Sequence, residues 1–449
     1  MTPLQHKTYA IMKSLKILAA GLLALAAAVS ASATTLHVTG STAFRKSLYA
    51  GIINQLGNGT VKVAYVASAS GLGSANQATF TNGTDTVYCC MAGSVGGVKW
   101  VVLGQNVSTD KDQTLTAKAW VSLNAGGGSG TWATASIDGS GNIVAPSGTY
   151  LGAQSDVALA TWDPAGKADM NMSDSFQDST LYDSVSTGVA EVDNQVGVVT
   201  FVWAKGQQQS GLDTNAYNRF TNIDFRQAQV LLANGILPLS VFTSNTLDES
   251  IDVVLIGRDN DSGTRLATHA ETLFGPVTTG SIQYQAYTSG NTNVGTGSGT
   301  LTIDHLWEAG KSATGSGSTD DQAGYSSGGS VKKVLQSAIA STAVSPRGSS
   351  RKFIPVGYLG TGDSPGAGLH LTWEGTTYST TDVIEGHYTF WTEQHLYYLD
   401  TLASAQQTLA GNIATQIITY AGAAGGIKDA DMRCVRSGAE GSLVYPTYP

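Results

Sequence analysis

The residues Ile256 to Arg265 read IGRDNDSGTR and follow an apolar run, SIDVVL. In a chain of 449 residues, of which 13% are charged, this stretch crowds Arg258, Asp259, Asp261 and Arg265 around a Ser-Gly-Thr turn. An apolar strand emptying into a helix predicts an N-cap at Ser262, whose hydroxyl accepts a backbone N–H of the first turn. The remaining first-turn N–H groups and the helix dipole favour an anion there, and Gly263 lets it approach the backbone. Arg258, at the strand end, adds a two-pronged charge-assisted contact. The alternative is an ordinary capped helix with a surface ion pair.

Similar turns recur along the chain. TGSTAF, from Thr39 to Phe44, is a strand-to-helix turn carrying two hydroxyls, Ser41 and Thr42. CCMAGSVGGVKWVV runs from an apolar strand through Gly93 and Ser94 into a helix start, and ADMNMSDSF ends a strand on Ser173 and Asp174. Four strand ends bearing hydroxyls, free N–H groups or a charge suit a ligand held at the carboxyl edge of open sheets. Enzyme patterns fail on context. GYSSG at Gly324–Gly328 has no apolar strand leading into Ser326, and GDSPG at Gly362–Gly366 runs on into a strand, LHLTW, instead of the required helix. AGKS lacks the glycine of a phosphate-binding loop, His305 standing in its place, and no Cys/His/Asp spacing resembles a zinc site.

The elements that position these turns alternate in type. TTLHVTG, the helical spacing of Phe44, Leu48, Ile52, Ile53 and Leu56, and VKVAYVA read as strand, helix, strand, a parallel α/β layer. Residues 100–167 instead hold short β-type runs between Gly-rich turns, and are expected to form an antiparallel insertion outside that layer. TSGNTNVGTGSGT and KSATGSGSTDDQAGYSSGG read as surface loops, while NIDFRQAQVLLANG, GSVKKVLQSAIAS and ASAQQTLAGNIATQIITYAG read as helices. The helix after the Ser-Gly-Thr turn is expected to show Leu266, His269, Ala270 and Leu273 on one side.

Lys13 and Lys16 precede the apolar run ILAAGLLALAAAV, and SASA ends at Ala33, the pattern of a secretory signal peptide over residues 1–33. Its removal leaves 21 basic against 33 acidic residues, a formal charge of -12, a poor match to nucleic acid or an anionic membrane. Roughly 415 mature residues suggest two or three domains. Cys89, Cys90 and Cys434 are an odd set: a bond from either vicinal cysteine to Cys434 and three buried thiols are both open.

In order, VTGSTAF, GSVGGVK, ADMNMSD, VGVVTFVWAKG, GRDNDSGT, SSGGSVKKVL, VGYLGTG and EGHYTFWTEQHLYYL resemble the landmarks of periplasmic phosphate-binding proteins, the solute receptors of phosphate ABC transporters. The resemblance spans Thr39 to about Leu399 and skips residues 100–167. It implies an α/β, two-lobed type II periplasmic binding protein fold with a β-rich insertion in the first lobe. Lobe 1 would be residues 34–204 plus 385–449 and lobe 2 residues 205–384. It also implies a monomeric, non-catalytic, periplasmic or secreted protein without a cofactor, binding inorganic phosphate and serving an ABC transporter permease. Adhesion, a structural role or another ligand on the same fold is the alternative. Carried over by position, the phosphate contacts would be Ser41, Thr42, Phe44, Ser94, Asp174, Arg258, Ser262, Gly263 and Thr264, with Ser70 competing for the role of Ser94. Asp174 would accept the hydroxyl proton that phosphate keeps near neutral pH and that sulfate lacks. Two departures stand out: a first turn one residue short, and Asp261 where the anion loop commonly has glycine.

Overall fold

The computed structural model describes residues 33–66, 71–91, 93–102, 120–122, 132–147, 162–163, 167–180, 182, 189–191, 195–275, 280–288, 301–306, 324–325, 327–422 and 425–447. The signal peptide through Ser32, Ser70, Ser326 and most of the two Gly/Ser/Thr-rich segments lie outside the described residues.

Among the described residues, thirteen strands form one sheet: β1 (Thr35–Gly40), β2 (Lys62–Tyr65), β3 (Gln77–Thr81), β4 (Thr86–Cys90), β5 (Ala133–Ile137), β6 (Ile143–Ser147), β7 (Met170–Ser173), β8 (Val189–Glu191), β9 (Gly197–Lys205), β10 (Ile236–Pro238), β11 (Ile251–Ile256), β12 (Lys352–Gly360) and β13 (Trp391–Leu399). Their order is β10-β11-β12-β9-β13-β7-β1-β4-β3-β2-β5-β6, with β8 also on β13. Two parallel groups, β7-β1-β4 and β11-β12, flank the long pair β9 and β13. β9 is buried along its whole length, β12 all but its first residue, and both read as nearly continuous apolar runs, as strands covered on both faces must.

β9 changes partner in its middle. Gly197–Thr200 pair antiparallel with β13, and Phe201–Lys205 pair antiparallel with β12. β13 does the same, with Trp391–Gln394 on β9 and His395–Tyr398 on β7. Each parallel group therefore runs toward the crossing at Thr200–Phe201, and their carboxyl ends meet there.

The helices follow local signals. α1 (Arg45–Gly57) packs on α6 (Ser404–Tyr420) through Gly51, where an added Cβ would lie 2.9 Å from Ile417 Cγ1. α2 (Ser94–Val102) follows β4, and α3 (Phe225–Asn234) opens on an Asp224–Gln227 capping box and stops at Gly235, φ 70°. α4 (Gly263–Glu271) follows β11, and α5 (Gly328–Gln336) starts at Ser327, whose hydroxyl accepts the Ser330 N–H. A hairpin of β14 (Cys434–Arg436) and β15 (Val444–Pro446) completes the fold.

Several expectations change. β2 is not the neighbour of β1: it pairs antiparallel with β3, which separates it from β4. The segment 100–167 is not wholly outside the main layer, since β5 pairs with β2 and carries the sheet on to β6, and its first residues still belong to α2. Short strands with alternating burial, as in β5, can extend any open sheet edge, which composition does not reveal. Leu273 lies past α4, 66% exposed at φ 51°. The three cysteines are buried free thiols.

Candidate functional site

The strand ends are drawn together by backbone contacts that only glycine permits. Gly40 leaves β1 at φ 124°, where a Cβ would lie 2.0 Å from the Met172 carbonyl oxygen, and Ser41 N–H donates to that carbonyl at 2.7 Å. Gly93, at φ 113°, donates its N–H to the Gly40 carbonyl at 2.9 Å; a Cβ there would sit 2.4 Å from the Asp261 carbonyl oxygen. The ends of β1, β4 and β7 are thus held against the loop after β11.

Asp174 lies at the centre of this contact, 1% exposed. Its N–H donates to Ser94 Oγ at 3.2 Å, and Ser41 Oγ approaches its Oδ2 at 3.5 Å. Its Oδ1, and the Oγ of neighbouring Ser175, are buried without a hydrogen-bond partner. Gly263 faces Oδ1 so closely that a Cβ would fall 1.6 Å from it. Burial holds the Asp174 carboxyl above its ordinary range, against the Ser94 hydroxyl and the Arg258 charge.

The loop from β11 to α4 supplies the opposite wall. Ser262 caps α4, its Oγ accepting the Arg265 N–H at 3.2 Å, as its sequence position predicts. Arg258 is 2% exposed; its Nε donates to the Tyr325 carbonyl at 3.0 Å and its Nη1 to Thr264 Oγ1 at 3.4 Å. Arg265, equally buried, donates from Nη1 to the Arg258 carbonyl at 3.2 Å. Asp259 is 2% exposed, and burial pushes its carboxyl up to about 8, against the pull of Arg258 and with the help of the Asp261 charge.

Asp261 reaches across. Its carbonyl accepts the N–H groups of Val95 and Gly96 at 3.1 and 3.2 Å, the first-turn donors of α2. A Cβ on Gly96 would lie 3.0 Å from Asp261 Cβ and Cγ, so the acidic side chain rests on the same helix turn. The N-terminus of α2, where an anion is expected from sequence, is therefore engaged by the chain itself.

Of the nine residues expected at the site, Ser41, Ser94, Asp174, Arg258, Ser262, Gly263 and Thr264 converge, all buried, and Thr42 lies in the same buried turn. The Phe44 ring packs at the start of β9 instead, where a Cβ on Gly197 would lie 2.8 Å from Phe44 Cζ. Asp259 and Arg265 went unassigned although they lie in the same ten residues, because spacing does not tell a ligand contact from a wall. Among the described residues no group of three or more His, Cys, Asp or Glu side chains is placed to hold a metal ion, and no helix is long and apolar enough to cross a membrane. In GDSPG, Ser364 Oγ lies 2.8 Å from His370 Nε2, yet Ser364 sits on extended backbone (φ -65°, ψ 152°) between two short 3-10 turns, not on the strand-to-helix elbow of a nucleophile.

The β14–β15 hairpin straps the rim of this region. Glu440, at its turn, accepts the Phe176 N–H at 2.6 Å and the Ser179 hydroxyl at 2.5 Å, just beyond Asp174. Gly441 lies against α4, where a Cβ would fall 2.4 Å from the Ala270 carbonyl carbon. Arg436 pairs with Glu271 at 3.1 Å, donates to the carbonyls of Trp391 and Ser442, and lies 4.5 Å over the Trp391 ring. Burial raises the Glu271 carboxyl against the Arg436 charge. The two glycines flanking AE between CVR and VYP mark this hairpin in the sequence, but nothing local says what it covers.

No protein-family model matches the sequence, and no curated protein matches it. Solved structures similar in fold include a Clostridium perfringens protein described as a phosphate ABC transporter substrate-binding protein with bound phosphate (10% identity, 88% of this chain and 99% of that one, TM-score 0.42). An ABC-type phosphate transport receptor from Vibrio cholerae is 11% identical over 88% and 99% of the two chains, with a TM-score of 0.40. PstS from Borrelia burgdorferi is 11% identical over 88% and 98%, with a TM-score of 0.34.

Two outcomes follow from the geometry. The unfolded chain releases the Asp259 proton in the ordinary carboxylate range, whereas the folded chain keeps it up to about 8, so its contribution to stability is lost as pH rises through that window. Asp259→Asn should melt several degrees higher than the parent near pH 8 and at the same temperature near pH 4, as followed by circular dichroism. Arg436→Ala leaves Glu271 buried without its partner and should lower the urea unfolding free energy by about 3 kcal/mol, part of which Glu271→Gln in the same chain should restore.

Proposed function

We propose that this chain is an exported solute-binding protein that captures inorganic phosphate between two lobes, residues 34–204 plus 385–449 and residues 205–384, and delivers it to an ABC transporter permease without catalysis. The observation that carries this reading is Asp174. A buried carboxylate oxygen without a partner, set among Ser41, Ser94, Gly263 and Arg258, is a costly thing to keep. A ligand hydroxyl would satisfy it. Among tetrahedral oxyanions, phosphate brings such a proton near neutral pH and sulfate does not, so sulfate would face an unpaired negative charge in a medium of low dielectric.

The remaining donors suit the other phosphate oxygens: the hydroxyls of Ser41, Thr42 and Thr264, backbone N–H groups at Phe44 and Gly263, and the Arg258 guanidinium. Ser262 positions this set by capping α4, and Ser94 by accepting the Asp174 N–H. The crossing strands β9 and β13 are the natural hinge, because β7, β1 and β4 lie to one side of Thr200–Phe201 and β11 and β12 to the other. Asp261 on the α2 turn favours a second reading, a fold retained for adhesion or another ligand, since it supplies from within what an anion would supply from outside.

Isothermal titration of the mature chain with phosphate and with sulfate separates the two. Phosphate binding tighter than about 1 mM, or about -4 kcal/mol, with at least tenfold preference over sulfate is expected. Asp174→Asn should bring the two anions close to parity. Absence of phosphate binding at millimolar concentration removes the transport reading, and an unchanged preference in the variant moves discrimination to another residue.

A further inference from the structure

The C-terminal hairpin touches both walls of the cleft, and it does so unequally. Its body lies on the wall that carries α4. The Arg433 N–H donates to the Ile384 carbonyl at 3.0 Å, and Cys434 Sγ lies 3.5 Å from the Val383 carbonyl. Gly441 is pressed on Ala270 of α4, and Arg436 pairs with Glu271 of the same helix. Arg436 also donates from Nη1 to the Ser442 carbonyl at 2.7 Å, which braces the hairpin's own turn, and to the Trp391 carbonyl beside the crossing.

The tip reaches the other wall. Glu440 takes the Phe176 N–H and the Ser179 hydroxyl, the two ends of a short 3-10 turn, Gln177–Ser179, that follows Asp174. That turn is continuous with the end of β7, where Ser173 Oγ donates to the Ser175 carbonyl at 2.7 Å and the Phe176 ring packs 4.1 Å from the His395 ring. Arg436 and Glu271 are both buried, and parting them would strand a charge away from water. Glu440 is half-buried, so water can replace its two bonds at smaller cost. If the walls separate, the hairpin stays with α4 and the Glu440 contacts give way.

We propose that the hairpin is a latch across the mouth of the cleft, with Glu440 as the positioning residue that clasps the turn carrying Asp174. The latch itself follows from these contacts; its effect on a ligand rests on the phosphate reading. A clasp that must open before anything enters or leaves slows both passages. It therefore governs how fast phosphate exchanges more than how tightly it is held, because entry and exit share the same step.

The test compares the full mature chain with Glu440→Ala and Ser179→Ala. Release of radiolabelled phosphate into excess unlabelled phosphate should be about tenfold or more faster in Glu440→Ala, with association accelerated as well and affinity changed less than either rate. Glu440→Gln keeps an acceptor for the Phe176 N–H and should return most of the way to the parent. Ser179→Ala removes one of the two bonds, should show a smaller acceleration in the same direction, and serves if Glu440→Ala does not fold. Small-angle scattering of each chain without phosphate reads the latch independently: Glu440→Ala should have a larger radius of gyration than the parent. Unchanged exchange rates in both alanine variants overturn the latch and leave the phosphate reading intact, as does weaker binding with no faster association, which marks a loosened Asp174 turn. If no chain binds phosphate, that reading falls, and the latch stands or falls on whether scattering shows the expansion.

Discussion

Two nine-residue strands that each change partner at their midpoint determine where everything else lies. β9 and β13 grip each other over only four residues, and beyond that short ladder each commits to a different parallel group. A strand ladder fixes direction as well as adjacency, so β7, β1 and β4 are aimed at the crossing from one side and β11 and β12 from the other. Parallel strands end in turns that lead to helices, and their carboxyl ends are where backbone donors stay uncommitted. The meeting of Ser41, Ser94 and Asp174 with Arg258 and Gly263 is a result of that geometry. No attraction among the side chains is needed to bring them together.

What the sequence discloses here is what is locally determined. Ser262 as the cap of α4 depends on three neighbouring residues, and the structure has that hydrogen bond. The apolar runs of β9 and β12, and the small residues at Gly40, Gly93 and Gly263, are legible because a chain cannot make those turns or approaches with a larger residue. What escapes is what depends on distant partners. The β2–β5 pairing joins segments some seventy residues apart, and short alternating strands carry no label for their neighbours. The Asp261 carbonyl on the first turn of α2 is more distant still, and no spacing rule could find it, because the group that acts is backbone and every residue has one. The free thiols were equally undecidable, since cysteine count fixes possibilities and only geometry chooses among them.

The loop from Arg258 to Arg265 therefore has two kinds of residue in it. Ser262, Gly263 and Thr264 do what their positions at a helix start demand. Arg258, Asp259, Asp261 and Arg265 form a buried charge system in which no member can be judged alone, because the cost of ionising one depends on the state of the others. Such a system has little tolerance for a change in total charge.

The hairpin that straps the rim also bears on how long the folded state lasts. Glu440 and Arg436 tie Cys434–Pro446 to the turn beyond β7 and to α4, contacts that must break before either segment can open. Late contacts are those absent when a chain crosses its folding barrier. Contacts of that kind hardly change the rate of folding and chiefly slow unfolding. A strap that forms last is a source of persistence: it lengthens the life of the folded molecule without altering how fast it folds.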